Sequence, residues 1–268
     1  MKNPLTWLLA GVATAFCSIG TGQTIYSDNF TLGGAGNING TAPTVANSFA
    51  GGTSSATWHD ALGTHDTNST GPVFFGANGT VPGTPNSLLL PFTPQSGYIY
   101  TLTASVTFSG NPGSWIGLGF GNVFSANAPY GYGRLSDTGN GAPNGQDWMI
   151  VTESSGNVQT FFSRNGQHFN QNAFFTAGPQ TISLEVVLDT TSSLWSMSQF
   201  VNGVQAGTAY TYSSNPSIAS VGITENTLGA PGNMTWNQLD LVATPEPSTL
   251  GLAAFGMAGL VMVMRRRK

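Results

Sequence analysis

Tyr98-Ile99-Tyr100-Thr101-Leu102-Thr103-Ala104-Ser105-Val106-Thr107-Phe108 decides the fold class. Its even positions are Tyr98, Tyr100, Leu102, Ala104, Val106 and Phe108; its odd positions are Ile99, Thr101, Thr103, Ser105 and Thr107. A strand sends successive side chains to opposite faces, so one face of this stretch is apolar and the other is dressed with hydroxyls. Aromatic and β-branched residues fill it, as they fill pleated, half-buried surfaces. A helix would scatter the same residues around its circumference.

Outward from this strand the same period recurs. Thr181 to Asp189 sets Ile182, Leu184, Val186 and Leu188 on one face. Ser193 to Val201 is expected to pair back across Thr190-Thr191. Asn202-Gly203 then turns the chain, and Val204 to Tyr212 returns. Asp147 to Thr152 and Asn157 to Ser163 read as a hairpin, with a second turn at Asn165-Gly166. Ile25 to Phe30 is the first expected strand, Trp58 begins a short one, and Ile218 to Thr224 and Met234 to Val242 close the body. Leu88-Leu89-Leu90 is a buried apolar run that Pro91 ends or pushes to a sheet edge. In Trp115 to Phe120, Gly117 and Gly119 alternate with Ile116, Leu118 and Phe120, and Gly121 follows. Another backbone or a ligand is expected close to the glycine face. Thr31 to Ala56, Ala61 to Pro85 and Asn122 to Gln146 are rich in turn-forming residues and read as loops. No segment from Thr24 to Thr244 keeps a helical period over ten residues. The expected fold is all-β, an antiparallel sandwich over residues 23–243.

Composition narrows the function. Only 7% of the 268 residues are charged, and between Lys2 and Arg265 the cations are Arg134 and Arg164 alone. Against them stand ten carboxylates from Asp28 to Asp240. An acidic body without clustered cations argues against nucleic acid as a partner. The single cysteine, Cys17, leaves the body without disulfides, thiol chemistry or cysteine-type zinc sites.

Both ends carry export signals. Residues 1–22 combine Lys2, an apolar run from Leu5 to Ile19 and the small exit Gly20-Thr21-Gly22, the pattern of a signal peptide. Phe16 before Cys17 spoils a lipoprotein signal. Residues 244–268 hold, in order, Pro245-Glu246-Pro247, an uncharged run, and Arg265-Arg266-Arg267-Lys268. As a helix, residues 248–264 would span roughly 25 Å, enough for one membrane crossing with snorkelling arginines. The cations hold that end in the cytoplasm and place the body outside. The prolines are expected to end the folded body and hold Glu246 extended and accessible.

This three-part tail resembles the PEP-CTERM sorting signal. The resemblance implies a Gram-negative bacterium, an exosortase in the inner membrane that cuts near Pro245-Glu246-Pro247, and a destination in the cell envelope or extracellular matrix. It also implies company with exopolysaccharide and biofilm. The stretch TISLEVVLDTTSSLWSMSQFVNGVQAGT, followed by IASVGI, resembles concanavalin A-like and laminin G-type jelly rolls.

That second resemblance frames the search for chemistry. Retaining glycosidases of such folds place carboxylates at alternate strand positions, E-x-D-x-E, to bring two of them within about 5 Å. Here Glu185 and Asp189 share a face, but four residues of strand separate them by about 13 Å. Val187 stands where the middle carboxylate belongs. No nucleophile elbow accompanies His59, His65 or His168. The protein is therefore expected not to be an enzyme. Trp58, Tyr130, Tyr132 and Trp148 form the candidate platform for sugar rings. Asp137, Asn140, Asn144 and Asp147 supply oxygen ligands of the kind calcium takes, without EF-hand spacing. A divergent polysaccharide hydrolase and a matrix protein without a specific ligand remain the alternatives.

Overall fold

The computed structural model describes residues 21–31, 36–60, 66–67, 73–74, 86–108, 115–121, 145–152, 158–162, 167–171, 174–176, 178–226 and 234–246. Among these residues every regular element is a strand. In chain order they are β1 (Gln23–Asp28), β2 (Gly36–Asn37), β3 (Val45–Ala46), β4 (His59–Asp60), β5 (Asp66–Thr67) and β6 (Val73–Phe74). The longer β7 (Asn86–Pro91), β8 (Tyr98–Phe108), β9 (Trp115–Gly121), β10 (Gly145–Thr152), β11 (Val158–Phe162) and β12 (Gln167–Gln171) follow. The chain continues through β13 (Gln180–Asp189), β14 (Ser196–Val201), β15 (Val204–Gln205), β16 (Tyr210–Thr211), β17 (Ser220–Asn226) and β18 (Met234–Pro245).

They form two antiparallel sheets. The first runs β15-β14-β13-β8-β18-β6-β5-β2, with β1 paired to β18 and β3, and β16 to β14. The second runs β12-β11-β10-β9-β17-β7-β4. β8 is central: β13 pairs along it from Gln180↔Phe108 to Asp189↔Ile99, and β18 pairs along its other side from Met234 to Pro245. Its alternation is carried out as the sequence predicts. Tyr100, Leu102, Ala104, Val106 and Phe108 are buried, while Ile99 and the hydroxyl positions are half-buried. Inward residues of the opposite sheet, including Leu88, Leu90, Leu118, Phe120, Met149, Val151 and Ile223, complete one core. At about 25 cal/mol per Å² of apolar surface removed from water, this shared burial is the main force holding the sheets together.

Several boundaries move. Val204 to Tyr212 is two short pieces, because Gly207 takes φ +77° and the Ala206 N–H donates to Gln199 O at 2.7 Å. The loop from Thr31 to Ala56 contains β2 and β3. β7 is not at the edge: β4 lies beyond it, pairing only Leu88 and Leu89, so Pro91 stands past the end of that ladder. The hairpin of β10 and β11 and the turn at Asn202-Gly203 are as expected; Asn202 and Gly203 take φ +51° and +75°. Asn165-Gly166 lies outside the described residues, as do nearly all of residues 1–22 and the whole run 248–264. No helix among the described residues is long and apolar enough to cross a membrane.

β18 continues further than Val242. Pro245 still pairs with Tyr98, and the Glu246 N–H donates to Gly97 O at 2.9 Å. Pro245 is compatible with this because its missing donor falls at the end of the ladder.

Candidate functional site

The C-terminal end of β18 is built by three strands. Ala243 is fully buried and pairs with Tyr100 on one side and Gln23 on the other. Thr244 lies opposite Ile99, and Pro245 opposite Tyr98; both are half-buried, while Glu246 is exposed. The acceptor for Glu246 comes from a braced turn. Gly97, at φ +88°, donates its N–H to Thr190 O at 2.9 Å. Thr190 is buried, and its hydroxyl lies 2.7 Å from Gln95 O and 2.8 Å from Tyr98 O. The body thus reaches past residue 243 to Pro245, the last residue of β18. Pro247, Arg265, Arg266 and Arg267 lie outside the described residues.

Beside this strand end, Gln23, Thr24, Asn47, Ser48 and Phe49 line a shallow groove of about 480 Å³. The Phe49 ring meets Tyr98 edge-on at 5.6 Å. Asn47 Nδ2 donates to Thr24 O at 2.8 Å, tying two of the lining residues together. Gly22 packs so tightly against β18 that an added Cβ would lie 2.8 Å from Val242 Cγ1 and 3.0 Å from Thr244 Oγ1. The two ends of the body therefore emerge side by side.

Of the four aromatic candidates, Trp58 is corrected. It is 1% exposed, stacked at a tilt on Phe30 with centroids 5.7 Å apart. Its Nε1 donates to Asp28 Oδ2 at 2.5 Å. Asp28, itself 4% exposed, accepts from the Phe30 N–H at 2.9 Å with its other oxygen. Pinning of the Trp58 backbone to Gly40 and Thr41 draws the indole inward. A buried carboxylate needs donors, and the indole is one of them; Trp58 is a core residue and offers no ring to a sugar.

Tyr130 and Tyr132 lie outside the described residues. Trp148 falls within β10, in register with Gly119 on β9 and Phe161 on β11. The row extends to His168 on β12 and, through Gly119, to Gly222, Leu89 and His59. These are the positions alternate to buried Met149, Leu118 and Ile223, so the row belongs to the second face of the seven-stranded sheet. Its middle is closely covered: Gly117, Gly119, Gly121, Gly222 and Leu89 are all buried. At Gly222 the reason is local, since a Cβ there would lie 2.1 Å from Leu88 O.

Asp147 also lies in β10, paired with Phe120 and Phe162 rather than in a loop; Asp137, Asn140 and Asn144 lie outside the described residues. Among the described residues no group of three His, Cys, Asp or Glu could hold a metal ion. Glu185 is half-buried on the outer face of β13, between Phe200 and Thr103. Asp189 Oδ1 accepts from the N–H and hydroxyl of Thr191 at 2.9 and 2.7 Å, capping the turn into β14.

Two tyrosines, Tyr26 and Tyr100, carry the polar interior. Tyr100 Oη donates to Ala50 O at 2.9 Å and accepts from the Gln95 N–H at 2.8 Å; burial pushes its pKa up to about 12. Tyr26 Oη donates to Pro91 O and accepts from the Thr53 N–H, and burial raises it too. Each anchors an irregular segment to a strand across a sequence gap that no local pattern encodes.

Comparison with known proteins adds fold and sorting. No curated protein sequence matches the chain. Among solved structures, an endo-1,3-β-glucanase from Streptomyces sioyaensis superposes with a TM-score of 0.50 at 11% identity, covering 84% of this chain and 97% of that one. A galectin-like protein of unknown function from Bacillus subtilis reaches 0.47 at 8% identity, over 85% and 100%. The lectin UEA-II complexed with galactose reaches 0.42 at 11%, over 79% and 98%. At such identity the first of these speaks for fold alone: an all-β sandwich of two antiparallel sheets like that of the glucanase. Residues 243–268 match the family described as the PEP-CTERM protein-sorting motif, so the motif begins on the last strand of the sandwich.

Proposed function

We propose that this is an exported protein of the cell envelope or extracellular matrix of a Gram-negative bacterium. An exosortase in the inner membrane sorts it, and it then serves a non-catalytic, carbohydrate-associated role in exopolysaccharide or biofilm. The observation that carries the proposal is the PEP-CTERM motif joined directly to a two-sheet β-sandwich that superposes on a glucanase. The motif indicates export by the exosortase pathway. Before processing, the run 248–264 holds the chain in the membrane as one helix, with Arg265, Arg266 and Arg267 on the cytoplasmic side.

For the carbohydrate role, the half of the seven-stranded sheet formed by β10, β11 and β12 is the proposed contact. There the register sets Trp148, Phe161 and His168 in one row. Aromatic rings pack on the apolar faces of sugars and leave hydroxyls for polar neighbours. Non-catalysis is supported by Val187 between Glu185 and Asp189, and by the engagement of Asp189 with Thr191.

Two experiments test this. Deleting the exosortase in the host should leave the protein uncut and cell-retained; unchanged size and location would refute the sorting. The purified body should bind the producer's polysaccharide without cleaving it, and Trp148→Ala should weaken that binding at least tenfold. A panel run with and without calcium decides whether the metal takes part. Turnover of a β-glucan that Glu185→Gln abolishes would establish the hydrolase alternative instead, and no binding at all would leave a matrix protein without specific ligand.

A further inference from the structure

The PEP-CTERM motif and the folded body share residues. The motif begins at Ala243, a fully buried core residue, and Thr244 and Pro245 are still paired in the sheet. Its first accessible residue, Glu246, is held by its backbone to Gly97 O. No spacer therefore separates the sandwich from the segment to be cut. A membrane peptidase that reads an extended peptide needs that peptide's backbone free, because strand-type recognition uses the same N–H and C=O groups that the sheet occupies.

We infer that processing is gated by the fold: residues Thr244 to Glu246 must peel from Ile99, Tyr98 and Gly97 before the exosortase can engage them. The inference rests on the sorting function proposed above and adds what controls its rate. The geometry suits a gate that opens locally. Pro245 brings no N–H to the ladder, and past its pairing with Tyr98 the motif is held by the bond from Glu246 to Gly97 O. Beyond it, Ala243 is locked in the core between Tyr100 and Gln23, which stops the peeling before the sandwich itself opens. Strand ends of this kind open far more cheaply than whole domains. The turn that supplies the acceptor is rigid, because Gly97 and Tyr98 are both tied to buried Thr190. The groove of Gln23, Thr24, Asn47, Ser48 and Phe49 lies at this same end, so the peptidase meets this surface as it takes the strand.

The test uses the full chain in its host, with precursor lifetime followed by pulse-chase. One variant inserts six Gly/Ser residues between Thr244 and Pro245, leaving Pro245-Glu246-Pro247 and all that follows unchanged. It should shorten the precursor's half-life by about fivefold, the weight of roughly one backbone hydrogen bond. A second pairs Ile99→Cys with Thr244→Cys, facing residues in a body that otherwise has no cysteine. Oxidised, it should lengthen the half-life by a similar factor; reductant should restore it, and the single-cysteine variants should match the parent. If the insertion and the oxidised pair are both cut at the parent's rate by an exosortase-dependent reaction, the gate is refuted while the sorting stands. Cutting that persists without the exosortase refutes the sorting, and the gate with it.

Discussion

Replacing Trp58 by Phe should destabilise the body without touching any ligand site. The ring contact with Phe30 is kept, but the indole N–H that Asp28 Oδ2 accepts at 2.5 Å is lost. Asp28 is 4% exposed, so water cannot readily replace that donor. Losing a hydrogen bond to a buried charged group costs about 1.5–3 kcal/mol. The smaller ring leaves unfilled volume worth about 1 kcal/mol more. The sum is about 3 kcal/mol, which for a domain of this size lowers Tm by roughly 6–12 °C. Urea and thermal unfolding of the purified body, followed by circular dichroism, measure it directly. Asp28→Asn and the double variant complete a cycle whose coupling should be about 1–2 kcal/mol. If Trp58→Phe unfolds within about 0.5 kcal/mol of the parent and shows no coupling, the buried Trp58–Asp28 pair is not what holds this corner. A loss of polysaccharide affinity at unchanged stability would return Trp58 to the surface role that the structure denies it.

Other outcomes follow from single contacts. Gly222→Ala forces a Cβ to 2.1 Å from Leu88 O and should cost at least about 2 kcal/mol in urea unfolding, since strand backbone is what must move. Thr190→Val removes the hydroxyl at Gln95 and Tyr98 and should cost about 1–3 kcal/mol; precursor processing should speed up in parallel. Tyr100 has a folded pKa of about 12 against an ordinary value of 10.0. A group whose folded pKa is raised supports the fold fully below its unfolded pKa and loses that support as pH climbs to the folded value. Stability should therefore be insensitive to Tyr100 below pH 10 and fall between about 10 and 12. Tyr100→Phe should flatten that fall, read from urea midpoints across the alkaline range.

Most of the sheet framework was legible because strand periodicity is local. Tyr98 to Phe108 and Thr181 to Asp189 each carry enough alternation to name their buried face unaided. Asn202-Gly203 announces its turn because both residues tolerate positive φ. The same local logic failed at Trp58, whose neighbours in sequence are those of an open loop. Its partner Asp28 lies thirty residues away, and only the docking of β4 and the Gly40–Thr41 contacts brings them together. The boundary at 243 moved for a related reason: Pro245 ends β18, but only after pairing with Tyr98, where the ladder asks for no donor.

Three features can be read from the chain alone: an all-β body, its acidic charge and lack of cysteine, and a C-terminal sorting motif in the right order. Each depends on residue type and short spacing, which the chain states directly. Only the folded chain reveals that β8 sits between β13 and β18, that Trp58 is core, and that the sorting motif starts inside a sheet. Those follow from pairings between residues tens to more than a hundred positions apart. No local pattern encodes them, because the free energy that selects them is the burial shared by both partners once they have met.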